Sequence, residues 1–158
     1  MTHGELVKRA AIWLRGSQRC KPVFTEQNCW ATSESPDAFG INNKGSIVVE
    51  CKASAEDFRA DRRKSFRQKP EDGMGRLRYY FAPEGVITDA MLDTMPGWGL
   101  VEVVGRSVRV RRESAVFRQA SNAECLLLRS AWLWKRDMDL ASADGKQEVQ
   151  PSVVEAKS

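Results

Sequence analysis

The chain has 158 residues, a natural length for one domain, and 42% of them are hydrophobic, enough for a core. A net charge of +4 favours an anionic partner, no apolar run is long enough to span a membrane, and Met1 to Gly16 is too polar for a signal peptide. Cys20, Cys29, Cys51 and Cys125 form no Cys-x-x-Cys pair and His3 is the single histidine, which excludes a zinc site of the usual kind and predicts reduced thiols in a cytosolic protein.

Thr2-His3-Gly4-Glu5 reads as a capping box opening a helix with Leu6, Ala10, Trp13 and Leu14 on one face, stopped at Gly16. Lys21 to Asn28 reads as a first strand anchored by Val23 and Phe24, with Glu26 near its end. The polar stretch 29–35 has no evident conformation. Strands over 36–41 and 46–52 flank a turn at 42–45, and their apolar residues fall on both faces, which predicts a sheet centre covered on both sides. Ser54 is placed to cap a helix over 55–66, with Phe58 and Phe66 inward and Arg59, Arg62, Arg63 and Lys64 supplying positive charge.

Residues 67–78, broken by Pro70, Gly73 and Gly75, read as a loop whose basic flanks (Arg67, Lys69, Arg76, Arg78) suit a mobile segment closing over nucleic acid. A strand over 77–83 follows, with Tyr79 and Tyr80 as packing residues, and Thr88 opens a short helix with Met91, Leu92 and Met95 inward. Strands 99–104 and 107–112 form a hairpin around Gly105-Arg106. Its outward Arg109 and Arg111, with Arg106 and Arg112, make a basic stripe that is either a binding surface or a soluble edge. A helix from 121 to about 137 is apolar over much of its circumference, predicting deep packing or a homodimer contact. The domain is expected to span 1–138, with 139–158 a disordered tail.

The chemistry concentrates in Ser35 to Lys52. With the turn at 43–44 or 42–45 the register opposes Asp37 to Glu50, with Cβ atoms roughly 5 Å apart, whereas a turn at 44–45 would oppose Asp37 to Lys52 on the same face; alternation puts Lys52 on the face of Glu50 and Cys51 on the other. Two such carboxylates need a proton, Lys52 or a divalent cation to neutralise them, and hard oxygens suit Mg²⁺. Lysine beside them can orient an attacking water, the equipment of a metal-dependent phosphodiesterase. The alternative for Glu50 and Lys52 is an internal ion pair at a strand end. Arg59, Arg62, Arg63 and Lys64, following directly, are candidate phosphate contacts, with Arg67, Lys69, Arg76 and Arg78 extending them; Asp61 is a candidate arginine partner.

Pro36-Asp37 followed by Glu50-Cys51-Lys52 resembles the PD-(D/E)XK nuclease superfamily. The continuation over 55–64 and Tyr79-Tyr80-Phe81-Ala82-Pro83 is similar to its MmcB-like DNA-repair branch, also found in phage genomes. The resemblance covers about residues 5–112. It implies an α/β, restriction-endonuclease-like αβββαβ core with a mixed central sheet, here with a C-terminal hairpin and helix added. It also implies Mg²⁺ (Mn²⁺ substituting) on Asp37, Glu50 and the Cys51 backbone carbonyl, with Glu26 or Glu5 as candidate further ligands, although capping already accounts for Glu5. Lys52 would be catalytic, the substrate DNA, and the products would carry 5′-phosphate and 3′-hydroxyl ends. The expected setting is the cytoplasm of a bacterium or phage-infected cell. The rival expectation is a catalytically inactive protein binding DNA or a protein partner on the same scaffold.

Overall fold

The structure is a computed structural model that describes residues 1–27 and 34–117, together with helical residues 124, 126–131, 133 and 135. Cys29, Cys125, Trp132, Trp134, the side chain of Phe66 and the expected tail 139–158 lie outside the described residues. Helix α1 (His3–Gly16) opens with the expected reciprocal cap: Thr2 Oγ1 accepts from the Glu5 N–H, and the Glu5 carboxylate accepts from the Thr2 N–H. Its apolar face, Leu6, Val7, Ala10, Trp13 and Leu14, is buried on the sheet.

The six strands are β1 (Val23–Thr25), β2 (Ala38–Asn42), β3 (Gly45–Cys51), β4 (Leu77–Pro83), β5 (Gly99–Val104) and β6 (Ser107–Arg112), and they lie side by side in that order. The pairs β1–β2, β2–β3 and β5–β6 are antiparallel; β3–β4 and β4–β5 are parallel. Parallel neighbours need crossovers. Helices α2 (Ala55–Arg62) and α3 (Ser65–Gln68) supply the first, and α4 (Asp89–Leu92) lies in the second. Ser54 Oγ caps α2 by accepting from Asp57 N–H, and Thr88 Oγ1 caps α4 by accepting from Met91 N–H.

The β2–β3 turn is Asn43-Lys44, held by Asn42 Oδ1 accepting from the Lys44 N–H, and the register runs from Asn42↔Gly45 to Ala38↔Val49. Asp37 and Glu50 are therefore the next facing positions. Both faces of the sheet are covered. Ile47, Val49, Cys51, Tyr79 and Phe81 meet α1 on one face; Val48, Tyr80, Leu100 and Phe39 meet Phe58, Ile87, Leu92 and Leu127 on the other. Leu127 and Ala131 bury the described part of the C-terminal helix against its own domain.

Several boundaries differ from the sequence reading. Strand β1 is three residues long, and Glu26, just beyond it, has a positive φ of 48° that turns the chain out of the sheet. The helix expected over 55–66 breaks at Arg63-Lys64, where Lys64 is extended (ψ 139°). The break restarts the chain as α3 and turns Arg67 inward. The segment expected to be a mobile loop is packed in part: Arg67, residues 73–75 and Arg78 are buried, whereas 68–72 are exposed. At the 3₁₀ turn Pro70–Asp72 the Pro70 carbonyl accepts from the Gly73 N–H, and the buried Arg78 guanidinium also donates to Pro70 and to the Gly73 and Gly75 carbonyls while lying 4.1 Å from the centre of the Phe117 ring. The β6 arginine stripe is largely ion-paired: Arg109 and Arg111 both reach the buried Glu102, and Arg112 reaches Asp93.

Candidate active site

Alternation along β3 places Glu50 on the face shared with Val48, and Lys52, one residue past the strand, on the same side. The Lys52 N–H donates to the Phe81 carbonyl, which holds the strand tip beside β4. Lys52 Nζ lies 3.2 Å from Glu50 Oε2 and 3.3 Å from Asp61 Oδ1. Asp37 approaches from the start of β2. Its Oδ2 accepts the Cys51 N–H at 2.7 Å, and its Oδ1 lies 3.4 Å from His3 Nε2. A cavity of about 360 Å³ opens here, lined by His3, Ser35, Asp37, Glu50, Lys52 and Lys64, among others. Asp37, Glu50 and Lys52 thus share one pocket at adjacent strand tips.

Behind them lies an ion network that sequence reasoning largely missed. The buried Arg67 guanidinium bridges three carboxylates: Glu34, Glu50 Oε1 at 2.9 Å and Asp61 Oδ2 at 2.9 Å. Glu34 also accepts the Met74 N–H, and Asp61 also accepts the Tyr80 hydroxyl at 3.0 Å and holds Lys64 Nζ at 2.9 Å. Arg67 rests over Trp98, which stacks on Tyr80. The expected pairing of Asp61 with an arginine is present. Glu34 carried no local signal; only the packing of 34 against α3 and Met74 brings it in.

Burial pushes the Glu50 carboxyl up from its ordinary value, against the pull of Arg67 and Lys52. Burial alone would lower Lys52, but Glu50 and Asp61 prevail and hold the ammonium charged. Burial would likewise raise Asp61, yet Arg67 and Lys52 keep its carboxyl below the usual range. An acid with a depressed native pKa stabilises the fold above its unfolded value, near about 4, and loses that contribution as pH falls towards the native value. In metal-free buffer, urea-unfolding midpoints should therefore fall below about pH 4, and Asp61→Asn should flatten that fall. An unchanged acid limb in the variant would contradict the assignment. Cys51 points into the core beside α1, where burial raises its thiol, and burial pushes the Cys20 thiol up to about 11; neither is a nucleophile.

The remaining predicted residues separate. Glu5 is spent on the α1 cap. Glu26 is exposed at the rim, 3.9 Å from His3, and its N–H donates to the Asp37 carbonyl. Arg59 is exposed and pairs with Glu56; Arg62, Arg63 and Lys69 are exposed. Arg67 and Arg78 are corrections: both are buried, one inside the ion network and one closing the 70–75 backbone, so their donors are taken by the protein's own carboxylates and carbonyls. Arg76 is exposed but sits at the opposite end of β3, where its N–H donates to Ser46 Oγ.

Among the described residues, no three His, Cys, Asp or Glu side chains are grouped to hold a metal ion. The donor chemistry nevertheless fits Mg²⁺, which typically takes one or two carboxylates and completes its shell with water and phosphate oxygens. The cluster has four carboxylates, Glu34, Asp37, Glu50 and Asp61, against three full cations, Lys52, Lys64 and Arg67.

The fold and site define a mixed α/β protein with an ionic centre at the tips of its middle strands. No family profile matches the chain, and no curated protein does. The fold is similar to that of a solved structure described as SPO1766 protein of unknown function from Silicibacter pomeroyi, with a TM-score of 0.64 and 20% identity over 94% of this chain and 97% of that one. At that identity the likeness is one of fold. No helix among the described residues is long and apolar enough to cross a membrane.

Proposed function

We propose that the protein is a Mg²⁺-dependent nuclease that hydrolyses phosphodiester bonds of DNA, in repair, recombination or phage DNA metabolism. The supporting observation is the convergence of Asp37, Glu50 and Lys52 on one pocket at adjacent strand tips. The element order, a helix, three antiparallel strands, a helical crossover and a parallel strand, supports the expected αβββαβ arrangement.

Asp37 and Glu50, with the Cys51 carbonyl, would hold the cation. When bound, Mg²⁺ polarises the scissile phosphate and screens the charge that develops on it. Lys52, kept charged by Glu50 and Asp61, orients the attacking water. Arg67 and Asp61 position Glu50 and Lys52 rather than touch substrate. Exposed Arg59, Arg62, Arg63 and Lys69, with Lys64 at the pocket, would contact the phosphate backbone, a salt-sensitive attraction that carries no sequence preference.

One observation favours the second reading, a non-catalytic protein binding DNA or a protein partner: both Glu50 oxygens are already held, one by Arg67 and one by Lys52. The test is cleavage of linear, nicked, branched and single-stranded DNA with Mg²⁺. Wild type should cut at least one of these and EDTA should stop it. Asp37→Asn should lower the rate by roughly 100-fold or more, as loss of a preorganised charge does. DNA binding without cleavage in both proteins, and no heat on Mn²⁺ titration, would establish the second reading instead.

A further inference from the structure

We propose that a second cavity, across Arg67 from Glu50, is a nucleotide pocket that receives the phosphate at the end of a nucleic-acid strand. The proposal deepens the nuclease reading and rests on it for the nature of the strand. The cavity measures about 520 Å³ and includes Arg62, Arg63, Gln68, Pro70, Met95 and Pro96 in its lining, with Arg67 and Trp98 as inner wall. That lies within the range of sites for small ligands, roughly 300–1,000 Å³.

Three features select the ligand. The first is charge. Arg62 and Arg63 are both exposed and both line the cavity, and neither is bonded to a carboxylate or carbonyl among the described residues, whereas the third arginine of the lining, Arg67, is held by three carboxylates. Adjacent unpaired guanidinium groups present forked donors that match phosphate oxygens, and two of them match a terminal phosphate, which carries nearly two negative charges, better than a singly charged diester.

The second feature is the wall. Pro70, Met95 and Pro96 are apolar, and the Gln68 amide is both donor and acceptor. A bare inorganic anion would use none of these; a nucleoside attached to the phosphate would use both. The third is placement. Arg67 lines this cavity and also lies 2.9 Å from Glu50 Oε1, so the pocket and the candidate centre share one guanidinium. A strand held by its end here lies beside the proposed cleavage site.

The test is fluorescence anisotropy in EDTA, so that no strand is cut. It uses single strands of about eight nucleotides carrying a 5′-phosphate, a 3′-phosphate or hydroxyls at both ends, with dAMP as competitor. One phosphorylated strand should bind about tenfold tighter than the hydroxyl strand. Arg62→Ala with Arg63→Ala should erase that preference. Lys8→Ala with Lys44→Ala, which removes the same charge from exposed positions elsewhere, should retain it. Competition by dAMP supports the pocket with a free nucleotide as its ligand, and failure to compete supports it with a strand end. Equal binding of all three strands, equal loss in both double variants, or no binding at all overturns the proposal. Cleavage with Mg²⁺ is read separately. End-selective binding without cleavage sinks the nuclease reading and leaves the pocket standing; cleavage without end selectivity does the reverse.

Discussion

Arg67→Ala should destabilise the protein by about 3–5 kcal/mol, the cost typical of removing one partner from a buried ion pair. The guanidinium holds Glu34, Glu50 and Asp61 together, all of them buried. Removing it leaves three carboxylates facing one another in a medium that solvates charge poorly, with Lys52 and Lys64 the nearest full compensating charges. The fold can respond only by protonating carboxyls, admitting water or opening the α3 segment. Arg67→Lys should recover only part of the loss, because a point charge cannot span three carboxylates as a planar fork does. The check is the urea-unfolding midpoint at neutral pH. The outcome separates two roles for this residue. A DNA contact would lose affinity with stability unchanged; a network keystone loses stability first. A loss below about 1 kcal/mol, the scale of an exposed ion pair, would remove the structural role argued here.

Lys52→Ala should lower cleavage by roughly 10²–10³-fold, the range typical of losing one preorganised charged hydrogen-bond donor. Its effect on stability should be smaller than that of Arg67→Ala. With Lys52 gone, Glu50 keeps Arg67, and Asp61 keeps Arg67, Lys64 and the Tyr80 hydroxyl. A second readout separates catalysis from cation binding. Lys52 contacts Glu50 Oε2, so its removal takes a competing positive charge off a proposed ligand oxygen. Mn²⁺ affinity, measured by titration calorimetry, should therefore hold or rise while cleavage falls. Parallel loss of both would make Lys52 a structural support of the acids, and retained cleavage would take it out of the mechanism.

The two predictions concern residues that differ in how far local pattern reveals them. Asp37, Glu50 and Lys52 come together through a two-residue turn and the strict alternation of a strand, and both are read from neighbours in the chain. The caps at Thr2, Ser54 and Thr88 are equally local. Arg67 and Arg78 defeated the same reasoning. Arg67 sits in a polar stretch that has the composition of a solvated loop and is buried because Glu34 and Glu50, distant in sequence, need its donors, whereas Arg78 lies in β4 and is buried because the nearby carbonyls of Pro70, Gly73 and Gly75 take its donors. Glu34 lies 33 positions from Arg67, and nothing beside it marks it as a buried anion.

Periodicity, capping residues and turn chemistry were sufficient for the order of the strands and for the two covered sheet faces, and they narrowed the β2–β3 register to one that sets Asp37 opposite Glu50 or one that sets it opposite Lys52. These depend on interactions within a few residues or across one turn, so the chain specifies them directly. Which charges are buried and which reach solvent was decided by the packing of α3, the 70–75 backbone and Glu34 beneath the sheet tips. The reason is electrostatic: the state of a charged side chain depends on every opposite charge within a few ångströms, and the fold chooses those neighbours from across the whole chain.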